Sequence, residues 1–260
     1  MAIKGVLFDI DGVLVTSWEP IARAADAVRT VVEAGYASGF LTSTTSLTQA
    51  DIAMRLWQCG IPVEPEEIVT AAKLTAEFVK RHHEGARCWL LNSGEVQADM
   101  SDIEFAEESP DLIILGGAGP VFTHEALSRV AELMVEGVPV IAMHRALSWT
   151  TSAGLKIDVG AYLPGLEAVG HRDITVIGKP SERAFSTAAA MMGVGPREVV
   201  MVGDDVNADV LAGQAAGMTG VLVRTGKFRP ETMEGLDEEP DHIIDSVADL
   251  PELLSSLTGR

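Results

Sequence analysis

Residues 3–13 read IKGVLFDIDGV. The apolar run Ile3–Phe8 has the length of a buried strand, and it stops at Asp9. Asp9 and Asp11 lie two apart on extended chain, so their side chains face the same way, and Gly12 follows as a turn residue. In open α/β sheets, ligands bind beyond the carboxyl ends of the strands. Two carboxylates placed there repel one another unless a divalent cation or a shared proton intervenes. Read alone, the pair equally fits carboxylates that cap a turn.

The sequence on either side repeats one pattern. Glu19 and Pro20 open a helical spacing of Ile21, Ala24, Ala25, Val28, Val31 and Val32, which Gly35 ends. Ala37–Leu41 is a second strand and delivers Thr42 and Ser43 to its end; Thr48–Cys59 is a helix closed by Gly60 and Pro62. The alternation predicts a doubly wound α/β fold with a Rossmann-like parallel sheet. The middle of the chain alternates again: helix 66–83, strands 88–91 and 112–115, helix 124–136 and strand 139–142, then irregular sequence over 144–165. Strand 173–177, helix 181–192, strand 199–202, helix 206–216 and strand 221–223 return to the first pattern. We therefore expect a core of residues 1–74 and 176–260 around an inserted α/β domain of residues 75–175. The acidic, polar stretch 229–239 reads as a solvated surface segment.

Three further strand ends carry chemistry. After the apolar run 199–202 comes Gly203-Asp204-Asp205-Val206-Asn207-Ala208-Asp209. With Asp9 and Asp11 it makes five carboxylates at two strand ends, an oxygen-only donor set that suits Mg²⁺ and, through it, phosphate. Asp205 alone also fits a helix N-cap. Lys179, in Gly178-Lys179-Pro180, offers a point charge for a phosphoryl oxygen, though singly it reads as a surface lysine. Thr42-Ser43-Thr44 offers hydroxyls and N–H groups, though singly it reads as a turn.

Composition narrows the choice of partners. Among 260 residues, 19 Lys and Arg face 38 Asp and Glu, a formal charge of −19 that disfavours nucleic acid and anionic membrane surfaces. No run of about 18 strongly apolar residues predicts a membrane span, and Asp9 breaks the apolar start too early for a signal peptide. The expected location is the cytoplasm. Cys59 and Cys88 are too few for a disulfide framework or a cysteine zinc site, and read as buried apolar side chains.

In combination, DxD, a hydroxyl, Lys and GDDxxxD on four successive strand ends resemble the haloacid dehalogenase (HAD) superfamily of phosphohydrolases. The likeness spans the whole chain. The long insertion between Thr42 and Lys179 is similar to the type IIA (C2) cap of the NagD and p-nitrophenylphosphatase group. The stretches IGKPSERAF, MVGDDVNADVLAGQAAGM and VRTGKFRPE are similar to the lysine/histidine-phosphate and pyrophosphate phosphatase branch. The resemblance implies that Asp9 is the nucleophile and Asp11 the acid and base. It implies Mg²⁺ on Asp9, the Asp11 carbonyl and Asp204, with Asp205 and Asp209 behind them. Gly12, Thr42, Ser43 and Lys179 would hold the phosphate. Ser43 departs from the Asn that many relatives carry, which removes a side-chain contact but not a backbone one. Asp11 argues against dehalogenation, because true dehalogenases lack this acid.

In the insertion, His144, Arg145 and Trp149 open a segment similar to the family's substrate-facing loop, so Arg145 and Trp149 are expected to select the substrate, with Lys156 as a second cation for an anionic tail. Trp18 reads as core packing or a lid over the entrance. His82-His83 reads as solvated surface. Gly116–Pro120 lacks GxGxxG and a GK[ST] ending and reads as a turn. The expected partner is a small phosphorylated substrate, with a homodimer as the expected assembly. The competing readings are an idle binding or regulatory protein on the same fold, and a phosphotransferase whose acceptor is not water.

Overall fold

The computed structural model describes residues 2–151 and 154–259, and the side chains of all of these but 149–151 and 258. In chain order the strands are β1 (Gly5–Asp9), β2 (Val15–Thr16), β3 (Glu19–Pro20), β4 (Ala37–Thr42), β5 (Ile68–Thr70), β6 (Arg87–Leu91), β7 (Glu104–Phe105), β8 (Leu112–Leu115), β9 (Val140–Ala142), β10 (Ser148–Thr151), β11 (Gly154–Ile157), β12 (Thr175–Val176), β13 (Val199–Gly203), β14 (Thr219–Val223) and β15 (His242–Ile244). The helices are α1 (Ala24–Glu33), α2 (Gln49–Gln58), α3 (Ala71–His82), α4 (His124–Glu136), α5 (Leu163–Gly170), α6 (Glu182–Met191), α7 (Ala212–Ala215) and α8 (Leu250–Thr258). The architecture is α/β, a Rossmann-like parallel-sheet core with a second α/β unit inserted.

The core unit comprises residues 1–42, 49–69 and 180–260. Its sheet runs β15-β14-β13-β1-β4-β5, with β1 parallel to both β13 and β4. Every residue of β1 and β13 is buried, as expected of central parallel strands covered on both faces. Phe8 stacks on Phe40 across β1 and β4, ring centres 5.6 Å apart. Helix α6 packs on β1 and β4, and α1 packs on β4 and α8.

The second unit comprises residues 43–48 and 70–179. Its sheet runs β12-β9-β8-β6-β7, all in parallel. Trp89, Ile113, Leu115, Val130, Met134 and Leu163 are among the side chains that fill its core against α4 and α5. The division falls at 69/70 and 179/180 rather than at 74/75 and 175/176, and it takes 43–48 into the second unit. Asn92 shows why: its amide donates to the Thr45 carbonyl at 2.9 Å.

Several element readings change. Glu19–Pro20 is β3 of a hairpin, not the start of a helix, and α1 begins at Ala24. The predicted helix 66–83 divides into edge strand β5 and α3, because the Thr70 hydroxyl caps α3 by accepting the Lys73 N–H. The stretch 144–165 is not irregular throughout, since it holds the antiparallel pair β10–β11. The predicted helix 206–216 starts as a π-helical turn, Val206–Leu211. Cys88 is buried, but Cys59 is only partly so.

Candidate active site

Asp9 closes β1, and Asp204 follows β13 directly. Because Phe8 pairs with Val202 in parallel register, the two aspartates leave neighbouring strands at the same sheet edge. Asp209 joins them from the π-helical turn. One carboxylate oxygen from each of Asp9, Asp204 and Asp209 lies within 4.8 Å of the others. All three residues are buried, at 5%, 2% and 1% exposure. Thr42, at the end of the adjacent β4, is also buried.

The chain makes room for this group with glycine. Gly12 has φ 93°, and a Cβ there would fall on the Asp204 carboxylate; the same holds for Gly226 at φ 61°. Asp204 Oδ2 accepts the Lys227 N–H at 2.7 Å, and Thr225 Oγ1 donates to the Gly12 carbonyl. Burial, then the Asp9 and Asp209 carboxylates, push Asp204 up to about 7. Its Oδ1 is buried and has no hydrogen-bond partner among the described residues. An orphaned buried carboxylate oxygen facing two more carboxylates fits a hard divalent cation with oxygen ligands.

Asp205 stands apart as a helix cap: its Oδ1 accepts the Asn207 and Ala208 N–H groups at 3.2 and 3.0 Å. Asp209 accepts the Asp205 N–H. The Asp11 carboxylate is exposed, lies outside the three-carboxylate group, and accepts the Ser17 N–H at 3.3 Å. Trp18 is not a core residue: it is half-buried beneath Arg55, whose guanidinium lies 5.0 Å from the ring centre. Cys59, read as a buried apolar side chain, is partly exposed and donates its S–H to the Trp18 carbonyl at 3.2 Å.

In the second unit, Lys179 follows β12 and is 7% exposed, so it is not a surface lysine. Ser43 begins the short segment grouped with this unit. Arg145 is held bidentately by Glu167, at 3.0 and 2.8 Å, and that carboxylate holds the guanidinium charge in place. Trp149 lies on β10 and its side chain is outside the described residues; Lys156 lies on the exposed β11. His144 is buried, with Nε2 3.8 Å from Asp158 Oδ2. Gly116–Pro120 is a turn, with the Gly117 N–H donated to the Asn92 side chain. Sequence reasoning missed Thr225, Gly226 and Lys227 as parts of the site. Their signal was a Gly-Lys step, Gly226-Lys227, three residues beyond the apolar run 221–223, comparable with Gly178-Lys179 after the strand before it.

Residues 6–106 match the haloacid dehalogenase-like hydrolase family, and residues 176–250 match a HAD-hydrolase-like family. The chain is 30% identical over 239 residues to haloacid dehalogenase-like hydrolase domain-containing protein 2 of Homo sapiens, covering 92% of this chain and 91% of that one. It is 29% identical over 264 residues to the phospholysine phosphohistidine inorganic pyrophosphate phosphatase of Mus musculus, covering 99% and 96%. Among solved structures it resembles a 4-nitrophenylphosphatase of Thermotoga maritima, with TM-score 0.89, 26% identity and coverage of 96% and 97%. It also resembles NagD of E. coli K-12, with TM-score 0.86, 28% identity and coverage of 96% and 98%. The chain belongs to the haloacid dehalogenase-like hydrolases and is a phosphatase of the type IIA group. Among the described residues, no helix is long and apolar enough to cross a membrane.

Proposed function

We propose that this phosphatase hydrolyses a small phosphorylated metabolite, in two steps, through an aspartyl-phosphate on Asp9. In the first step a carboxylate oxygen of Asp9 attacks phosphorus, the P–O bond to the leaving group breaks, and Asp11 supplies the leaving oxygen's proton. In the second, Asp11 takes a proton from water, the water oxygen attacks the phosphorus of the acyl phosphate, and inorganic phosphate leaves with Asp9 restored. Gly12, Thr42, Ser43 and Lys179 are assigned to the phosphoryl oxygens by their motif positions. The metal we assign is Mg²⁺, held by Asp9, the Asp11 carbonyl and Asp204, with Asp209 at its edge. When bound it supplies positive charge against the phosphoryl oxygens inside a strongly acidic protein. The inserted unit is assigned the choice of leaving group and the exclusion of water.

The single observation that carries this reading is the buried group of Asp9, Asp204 and Asp209 at one sheet edge, with the Asp204 oxygen left unmatched. The intact set of Asp9, Asp11, Lys179 and Asp204 argues against an idle binding protein on the same fold. The test is phosphate release from a panel of phosphomonoesters, pyrophosphate and phosphoramidates, with Mg²⁺ and with chelator, for the wild type and Asp9→Asn. Metal-dependent release that disappears in Asp9→Asn is expected. Full activity in the variant would overturn the covalent step. Transfer of phosphate to an added alcohol without free phosphate would replace hydrolysis by phosphotransfer.

A further inference from the structure

The loop after Asp11 forms the β2–β3 hairpin, closed by the pairs Val15–Pro20 and Thr16–Glu19. Its two turn residues, Ser17 and Trp18, both have left-handed backbone, φ 52° and 67°. A two-residue turn of this kind is the type I′ turn, which Asn-Gly enters readily. A bulky aromatic in the left-handed region is a rare placement, and something must hold it.

The end of α2 holds it twice. Arg55 covers the indole face, and Cys59 donates to the Trp18 carbonyl. These residues are four apart, so they meet the turn from one side of the helix end. On the other side of the same turn, the Ser17 N–H meets Asp11 Oδ1 at 3.3 Å. Among the described residues, that N–H is the one donor to the Asp11 carboxylate. An exposed carboxylate with no fixed donor samples several rotamers, whereas a proton donor in catalysis needs one.

We propose that Trp18, Arg55 and Cys59 are positioning residues for Asp11: α2 clamps an unfavourable turn, and the turn aims the Ser17 N–H that orients the acid. The inference rests on the role assigned to Asp11 above. In kcat/KM, which reports the steps up to release of the leaving group and not the later attack of water, the cost of loosening the turn falls on delivery of a proton to the departing oxygen. An alkoxide must take that proton as the P–O bond breaks and leaves as the alcohol. A p-nitrophenolate leaves as the anion and needs little help.

The experiment compares kcat/KM for p-nitrophenyl phosphate and for the alkyl phosphate cleaved fastest by the wild type. Trp18→Ala and Arg55→Met are expected to lower the alkyl-to-aryl ratio about tenfold or more, a part of the ~10²–10⁴-fold that a general acid contributes in full. Their activity on the aryl ester should stay within about threefold of wild type. The double variant Ser17→Asn/Trp18→Gly installs a pair that forms the turn unaided, so it should return the ratio to within about threefold of wild type. Equal losses on both substrates, or no loss, would overturn the inference. So would a double variant as impaired as Trp18→Ala, since the indole would then act on substrate directly. Asp11→Asn separates the two levels of argument. If it leaves the ratio unchanged, the assignment of Asp11 as the acid fails, whatever the Trp18 variants do.

Discussion

With no cation on its carboxyl, Asp204 is a burden that grows with pH. In the folded chain its carboxyl stands at about 7 against an ordinary 3.8. The cause is burial first, then the charges of Asp9 and Asp209. Between those two values the folded chain binds a proton that the unfolded chain has released. Stability from this group is therefore fully present below about pH 4, falls as pH rises, and is lost above about pH 7. At 1.36 kcal/mol per pKa unit, the whole penalty is ~4 kcal/mol. Asp204→Asn removes the titration. Its amide oxygen keeps the Lys227 N–H, and its NH₂ takes the place of the orphaned oxygen facing two carboxylates. With about half of the penalty recovered, the variant should gain ~2 kcal/mol at pH 8 in chelator. For a chain of this size that is a rise in Tm of roughly 4–8 °C. The gain should shrink to about a quarter of that near pH 4.5, and Mg²⁺ at pH 8 should raise the Tm of wild type but not of the variant. Thermal melts followed by circular dichroism at pH 4.5, 6, 7 and 8, with EDTA and with Mg²⁺, read all of this. A Tm difference independent of pH, or an Asn variant less stable than wild type at pH 8, would refute the reasoning.

Gly12→Ala combines a left-handed backbone with a Cβ placed on the Asp204 carboxylate. We expect kcat to fall about 100-fold or more with an unchanged circular dichroism spectrum, since small misplacements at a reacting centre cost that much; kcat within about threefold of wild type would contradict it. Asp158→Ala tests the second unit. Asp158 Oδ1 accepts the Ala118 and Val159 N–H groups at 2.8 and 2.7 Å, so truncation should destabilise by ~2–4 kcal/mol in urea denaturation, and Asp158→Asn by much less.

Much of this organisation was legible in the sequence, for definable reasons. Apolar runs such as 3–8 and 199–202 announce central parallel strands because both faces are buried, and each ends within two residues of an aspartate of the carboxylate group. What the sequence concealed depended on tertiary partners. Glu19–Pro20 fits a helix start by local spacing, yet the hairpin and the clamp of Arg55 and Cys59 on Trp18 claim it for β3. Thr70 hides a strand–helix junction inside an unbroken helical pattern, because only its cap bond to Lys73 marks the break. Asp205 and Asp209 looked alike in the motif. One caps a helix while the other enters the carboxylate group, a difference decided by the π-helical turn between them. Arg145 offered itself as a free cation, but Glu167, 22 residues away in sequence, already holds it.

The pairing of β1 with β13 also sets an order of events during synthesis. Asp9 leaves the ribosome some 190 residues ahead of its partner strand. By then all of 70–179, with its own sheet and core, has already emerged. The strand that ends in Asp9 has β4 on one edge early but waits for β13 on the other while the insertion completes its contacts, and such waiting segments are exposed to mispairing. A nascent chain that stops before Val199 has the Asp9 carboxylate but neither Asp204 nor Asp209, and so no site. The carboxylate group closes only once residues 199–209 have emerged.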